Sequence, residues 1–590
     1  MQTLFPRCGR VVMLPIVCLL STGIAHALGL TGTVKQEDGQ PVPGVMIKVT
    51  SASAAAIVTK VFTDAKGEYL VPDLGKNVGV NSIYVETFKI GYEQTQPQAK
   101  ALAVLQPKIN KQSARVDFTL KPVTNIATQA PSSAWLALAP ESPEKHQTIS
   151  SCSQCHQLPN ERMRRLAEGL AGQDEAQREQ VWRAMVASMR TAFYGVLQSE
   201  HSQGMTPELL AEASKPENSF LDQKDEDIVA PWLAKHMPTS FAQYDIADKN
   251  KFADVPLGVT KKTLIREFAY DDKSFMRESL VLNGEYWVDE IARNRIGKVD
   301  LKTGIYKWYD VPSPGAPAPH TMVADGEGNI WVTLLGGTGE MAAVFNPKTE
   351  AWRIYDGFPK SMAAHDFSQG MGYLMGFDKN DMAWMTVISH NKVIGFNRKT
   401  GEVSPMYDLP IPEWGGTAFH VGAYGGGMTS DKHFWFAQNN GHFGRFNTET
   451  RQVDHVIEYG YGAGPHRMVV ANNDLIYLTL IGAGQISVID AKQLKEVKRI
   501  DLPNRGSAPY SVALDTRRNA LWVGTVNNDS LFKYDIRSGK FSEFPVGIKD
   551  LHMRIVSVDN KTGDLWIASS PLPSDESEMR RTFLYHPGDL

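Results

Sequence analysis

Between residues 286 and 569 an aromatic anchor followed by small or β-branched residues recurs seven times, as YWVDE, IWVTL, AWMTV, FWFAQ, IYLTL, LWVGT and LWIAS. The anchors are Trp287, Trp331, Trp384, Trp435, Tyr477, Trp522 and Trp566, spaced by 44, 53, 51, 42, 45 and 44 residues. A period of about 40–50 residues is that of a four-stranded propeller blade. A second strand and turn follow most anchors, as in RIGKVDLKTG, VIGFNRKTG and LFKYDIRSG. Seven anchors predict seven blades over 255–590. The last repeat stops after FLYHPGDL, one strand short, while TLIREFAYDD before the first blade matches outer-strand segments such as GIYKWYDVP. Residues near 263–270 are therefore expected to complete the last blade, because an unpaired edge is costly and ring closure removes it.

Ahead of the repeat the chain divides into three parts. Residues 1–27 have a basic start (Arg7, Arg10), the apolar run VVMLPIVCLL and a small-x-small end at Ala25-His26-Ala27. This is the pattern of a cleaved secretory signal and implies a periplasmic or secreted protein. No second long apolar run suggests a membrane span, and a formal net charge of -4 on 590 residues offers no basic field for nucleic acid. Residues 28–122 carry alternation (Val45, Ile47, Val49) and turns (Asp38-Gly39, Lys66-Gly67) that predict a small β-sandwich. The segment resembles the carboxypeptidase regulatory-like domain through Gly39, Pro41, Gly44, Thr63-Asp64, Gly67-Glu68-Tyr69 and Gly91-Tyr92. That resemblance implies a non-catalytic spacer or docking module. Residues 123–144, rich in Ala, Pro and Ser, read as a linker.

The linker leads into SSCSQCHQLP, residues 150–159. Of four cysteines, Cys8 and Cys18 belong to the leader, so the mature chain keeps Cys152 and Cys155, followed by His156. Cys-x-x-Cys-His is the attachment signature of a c-type haem: two thiols reach the two vinyl groups and the histidine ligates iron. A zinc site needs a second ligand pair, and a redox dithiol calls for a βαβ setting. Neither is visible. Helical periodicity from Glu161 to Phe193 and again over about 225–237 flanks the motif. The stretch 145–245 resembles a class I cytochrome c domain, which implies one covalent haem c and a methionine as sixth ligand. Met205 fits best, with Met189 and His201 as alternatives.

Loops entering the innermost strands crowd one mouth of a propeller's channel. There the repeats supply Met276, His320, His365, His420, His466, Tyr510 and His552. Five histidines at equivalent positions could bind copper, iron or zinc, or act as bases. The runs WVDEIARNRIGKVDLKTG, PHTMVADGEGNIWVT and GPHRMVV resemble the streptogramin lyase (virginiamycin B lyase) propeller family. That resemblance implies a seven-bladed propeller, and a magnesium-assisted elimination with Glu290 as carboxylate ligand and His466 as base. The expected fold is thus mainly β: an N-terminal sandwich, a small helical cytochrome c domain and a C-terminal seven-bladed propeller. The expected function is an exported oxidoreductase: His320, His420, His466 and Glu290 handle a small organic substrate, and the haem exchanges electrons with a soluble acceptor or donor protein. The haem favours redox chemistry, since an elimination needs no electron carrier. A C–O lyase and a non-enzymatic electron-transfer or docking protein are the alternatives.

Overall fold

The computed structural model describes residues 29–51, 57–72, 83–97, 113–199, 221–251, 255–268, 275–313, 318–335, 340–356, 374–414, 422–570 and 581–589. Six four-stranded antiparallel sheets follow one another over 279–310, 318–356, 374–408, 423–458, 465–501 and 509–545. They are blades 1 to 6. Blade 7 consists of Met553–Val558, Leu565–Ser569 and Arg581–His586, with Leu264–Phe268 pairing antiparallel as its outer strand (Thr582 opposite Phe268, His586 opposite Leu264). The ring thus closes with a strand from the start of the propeller.

The tryptophan anchors explain why the blades stack. All six are at most 2% exposed. In three blades the indole N–H is held by an aspartate six or seven residues upstream: Trp331 to Asp325 (3.1 Å), Trp384 to Asp378 (3.0 Å) and Trp522 to Asp515 (3.0 Å). Asp325 also accepts the backbone N–H groups of Glu327 and Asn329, both at 2.9 Å. In these blades one carboxylate therefore satisfies the buried indole, and in blade 2 it also pins the turn before its strand.

The N-terminal segment is a two-sheet sandwich. One sheet is ordered Glu68–Val71, Gly29–Gln36, Phe118–Pro122, Tyr92–Gln96, and the other contains Ile57–Phe62, Met46–Ser51 and Ile83–Phe88. Leu30, Val34, Ile47, Val61, Tyr69, Val71 and Phe118 fill the space between them. The sandwich is not a detached bead. Ile57–Phe62 pairs with Leu264–Phe268, so its second sheet and blade 7 make one continuous seven-stranded sheet. At that seam Lys60 forms an ion pair with Glu267, both almost fully buried, and donates to the carbonyls of Val546 (2.7 Å) and Gly547 (3.2 Å).

Among the described residues five α-helices lie between sandwich and propeller: α1 (Ser132–Leu136), α2 (Pro143–Cys152), α3 (Glu161–Gly169), α4 (Glu175–Ser199) and α5 (Gln223–His236). Asp222 and Asp225 form a capping box at the start of α5. The stretch read as a linker is packed instead. Ile126, Ala130, Ala134 and Trp135 are buried, and Trp135 lies edge-on to Phe241 and Tyr244 at 4.8 and 4.9 Å between ring centres. Its Ala-rich composition serves close packing against the end of the helical segment. Among the described residues no helix is long and apolar enough to cross a membrane.

Candidate functional site

Cys152 ends α2, and the turn that follows keeps helical hydrogen bonding: Cys155 N and His156 N donate to the Cys152 carbonyl at 3.2 and 3.4 Å. The two cysteines form no disulfide. Burial raises both thiols, Cys152 to about 12, so both stay protonated. His156 Nδ1 lies 2.6 Å from the Gln157 carbonyl. A carbonyl only accepts, so Nδ1 carries the proton and Nε2 keeps its lone pair. Burial holds this imidazole below its ordinary pKa, in the neutral form a metal ligand requires.

This turn sits on the propeller's channel mouth. Arg554 donates to the carbonyls of Gln154 (2.5 Å) and Cys155 (3.2 Å), and His552 Nδ1 donates to the same Cys155 carbonyl at 2.9 Å. Asn527 clamps the other side: its amide donates to Ser153 Oγ at 3.0 Å and its oxygen accepts Leu158 N–H at 2.9 Å. Ile149, Cys152, Trp182, Leu233 and Cys155 belong to one apolar cluster with Phe275, Ile291, Ile388, Tyr424, Ile481, Tyr510 and Val526 of the channel rim. The helices and the mouth therefore share a core.

Close approach requires glycine at two rim positions. A Cβ on Gly482 would collide with the carbonyl oxygens of Gly462 and His146, and one on Gly462 would lie 2.8 Å from Gln147 N. Gly482→Ala is expected to push α2 off the rim at a cost of about 1–3 kcal/mol, read as a lower thermal midpoint. An unchanged midpoint would show that the helices are not seated there.

Inside the mouth the register of the blades corrects the sequence alignment. Ile481, Val526, Ser570 and Ile291 each donate a backbone N–H to the residue entering the innermost strand: Gly464, Ala508, His552 and Phe275. Two residues further on stand His466, Tyr510, Arg554 and Arg277. The pairs Pro319–Leu334, Ala423–Gln438 and Pro465–Leu480 place His320 and Tyr424 at the same position as His466. Pairing shifts there in five blades, between Pro319 and Thr321, Ala423 and Gly425, Pro465 and Met468, Pro509 and Ser511, and Met553 and Ile555. A β-bulge re-aims the residue it displaces. The position facing the channel thus carries Arg277, His320, Tyr424, His466, Tyr510 and Arg554, not five histidines. Met276 and His552 fall outside it, and Tyr424 holds the position in blade 4. His365, His420, His201 and Met205 lie outside the described residues, and Met189 is half-buried on α4.

The side chains at this position touch one another. The phenols of Tyr424 and Tyr510 are 2.7 Å apart. Arg277 donates to Tyr424 at 2.7 Å and to Tyr510 at 3.4 Å, and Arg554 donates to Tyr510 at 3.1 Å. His466 stacks on Tyr424 with ring centres 4.3 Å apart. Burial pushes the Tyr424 phenol up, but the charges of Arg277, Arg467 and Arg554 outweigh it and bring it down to about 8. Burial, reinforced by the same arginines, drives His320, His466 and His552 well below the usual histidine range, so all three are neutral. His466 Nδ1 donates to the Tyr510 carbonyl at 3.1 Å, leaving Nε2 as a lone-pair base. The Nε2 atoms of His466 and His552 are buried and find no hydrogen-bond partner among the described residues.

Glu290 is engaged elsewhere. It forms an ion pair with Arg295 at 2.6 Å and accepts Phe275 N–H at 3.4 Å. Among the described residues no three His, Cys, Asp or Glu side chains are arranged to hold a metal ion.

A second carboxylate is tied to the cysteine turn. Asp529 accepts the Gln157 side chain at 2.6 Å and Leu551 N–H at 3.0 Å, on the edge of a cavity of about 430 Å³ between sandwich and blade 6. Burial, with the Asp550 charge second, raises its carboxyl to about 7. A raised carboxyl binds its proton more tightly in the folded state. The stability this adds is complete below pH 4 and is lost as pH rises to about 7. Wild type is expected to lose up to about 3 kcal/mol across that window, a figure reduced for partial solvent contact. Asp529→Asn should flatten the profile, measured as denaturation midpoint against pH, and an unchanged slope would exclude this carboxyl as its source.

No protein-family model matches this chain, and no curated protein does. Solved structures do. Virginiamycin B lyase from Staphylococcus aureus has 17% identity and a TM-score of 0.43, the match covering 54% of this chain and 98% of that one. The catalytically inactive variant of the same enzyme with quinupristin has 17% identity, TM-score 0.44 and the same coverage. A streptogramin B lyase structure has 17% identity and TM-score 0.44 over 54% of this chain and 96% of that one. What the chain is similar to is a propeller, and its blades are read directly from the sheet order.

Proposed function

We propose that the chain is an exported haem-linked oxidoreductase in which the propeller mouth binds a small organic substrate beside a haem held by Cys152, Cys155 and His156. The observation that carries this reading is the shared hydrogen bonding of the Cys155 carbonyl, which accepts from both His552 and Arg554 of the channel. An electron carrier serving only a distant partner has no need of a seat on the channel residues. The donor set fits haem c. Two unpaired thiols stand one turn apart, and His156 presents Nε2 because Nδ1 is committed to Gln157.

When bound, the haem supplies one-electron transfer to a soluble acceptor. The chain's own residues do the rest. Helices α2 and α5 and the rim glycines cover the mouth and exclude water. Arg277, Tyr424, Tyr510 and Arg554 orient polar groups, and His466 Nε2 takes the proton released on oxidation. The sandwich, joined to blade 7, fixes the ring's outer edge. The elimination reading finds no comparable support, because Glu290 is bound to Arg295 rather than facing His466.

The test is to express the chain with haem-attachment machinery, record oxidised and reduced visible spectra, and screen small substrates with an artificial electron acceptor. Covalent haem whose reduction follows substrate addition supports the proposal. Magnesium-dependent, acceptor-independent turnover would replace it with a lyase.

A further inference from the structure

The bulged circle is rich in guanidinium. Arg277, Arg467 and Arg554 are each at most 3% exposed. Two carboxylates stand among them. Glu278 forms a bidentate pair with Arg467, and Asp289 Oδ1 accepts the backbone N–H groups of Arg277 (2.9 Å) and Glu278 (2.7 Å). Among the described residues Arg554 meets only neutral oxygens: the carbonyls of Ser570 (2.9 Å), Gln154 and Cys155, and the Tyr510 phenol. A buried cation without a carboxylate partner is expensive, and an arriving anion relieves that cost. Four of the five guanidinium N–H groups of Arg554 are donated in these bonds, so an arriving carboxylate takes a charge-assisted hydrogen bond from the one N–H left on Nη2. Beside this group lie the Nε2 atoms of His466 and His552, both buried and without a hydrogen-bond partner among the described residues. The rings of Tyr424, Tyr510 and Phe275 supply flat apolar walls.

We propose that this circle is a carboxylate-binding site, with Arg554 and Arg277 as the recognising residues, and that the substrate class is a small organic carboxylate. The assignment rests on the reading of the propeller mouth as a substrate site. A carboxylate could also come from the haem itself, as a propionate, and the experiment separates the two sources.

Acetate, succinate and benzoate are titrated calorimetrically into the full-length holoprotein, with acetamide, succinamide and benzamide as neutral counterparts. At least one acid is expected to bind ten times or more tighter than its amide, about 1.4 kcal/mol. Arg554→Lys and Arg277→Met are each expected to erase that preference. The wild-type comparison stands even if a variant fails to fold. Equal binding of acids and amides, or no binding of any acid, overturns the proposal. If acids bind only the haem-free Cys152→Ala/Cys155→Ala chain, the site is upheld as a propionate site and the substrate assignment falls. Visible spectra of the same samples report haem independently. A preference for acids in a wild-type chain that carries no haem would sink the redox reading and keep the carboxylate site.

Discussion

Replacing both Cys152 and Cys155 with alanine is expected to remove covalent haem completely, seen as loss of the haem-stained band on a denaturing gel. The two thiols are free and form no disulfide. Thioether bonds need both sulfurs within one turn, and the hydrogen bonds from Cys155 N and His156 N to the Cys152 carbonyl fix that turn. His156→Ala makes a different prediction. It leaves the thiols in place but removes the Nε2 that Gln157 orients, so haem that attaches should be high-spin, with a shifted Soret band. Covalent haem in the double cysteine variant would mean that attachment occurs elsewhere, and the reading of the motif would fail.

The second large effect concerns the seam between sandwich and propeller. Glu267→Ala leaves Lys60 buried beside the carbonyls of Val546 and Gly547 with its carboxylate gone, and removing one partner of a buried pair costs about 3–5 kcal/mol. Burial already draws the Lys60 ammonium below its ordinary pKa, while Glu267 holds it up. The variant should therefore unfold at markedly lower denaturant. Replacing both residues, Lys60→Met with Glu267→Leu, should restore most of the loss, since apolar residues of similar size tolerate such a site. A loss of under about 1 kcal/mol in Glu267→Ala would mean that the seam is solvated and the pair is a surface one. The same substitution tests whether the sandwich holds the closing strand Leu264–Phe268, because both elements pair with that strand.

Blade number and ring closure could be read from the sequence because the anchors are large, buried and regularly spaced. A tryptophan packed between blades tolerates little drift, so Trp287 to Trp566 mark the repeat directly. The channel residues were harder. His420 and His552 attracted attention by residue type, yet the position that faces the channel lies ten to twelve residues before each anchor, where Arg277, His320, Tyr424, His466, Tyr510 and Arg554 stand. His420 and His552 precede their anchors by 15 and 14 residues. No constant offset finds them all: eleven residues before the anchor gives His320, Tyr424 and His466, and Tyr373 in blade 3, which lies outside the described residues, but Met276, Ser511 and Ile555 in blades 1, 6 and 7. The bulges hid this, since an extra residue shifts which side chain faces inward without altering the strand's apolar pattern. The aspartates bonded to the tryptophans were likewise unread: Asp325, Asp378 and Asp515 look like ordinary turn residues until the indole N–H needs a partner. Nor could the sequence place the Cys-x-x-Cys-His turn against Arg554 and His552. That contact spans about 400 residues and depends on how the helices seat on the rim.

A crystal structure of the haem-matured holoprotein shows most directly whether haem and channel form one site. Iron on His156 Nε2, thioether bonds to Cys152 and Cys155, and a macrocycle in contact with rim residues of the cluster that holds Phe275, Ile388 and Tyr510 are the expected result. Unmodified thiols, or a haem turned away from the propeller with the Cys155 carbonyl released from Arg554, would contradict it.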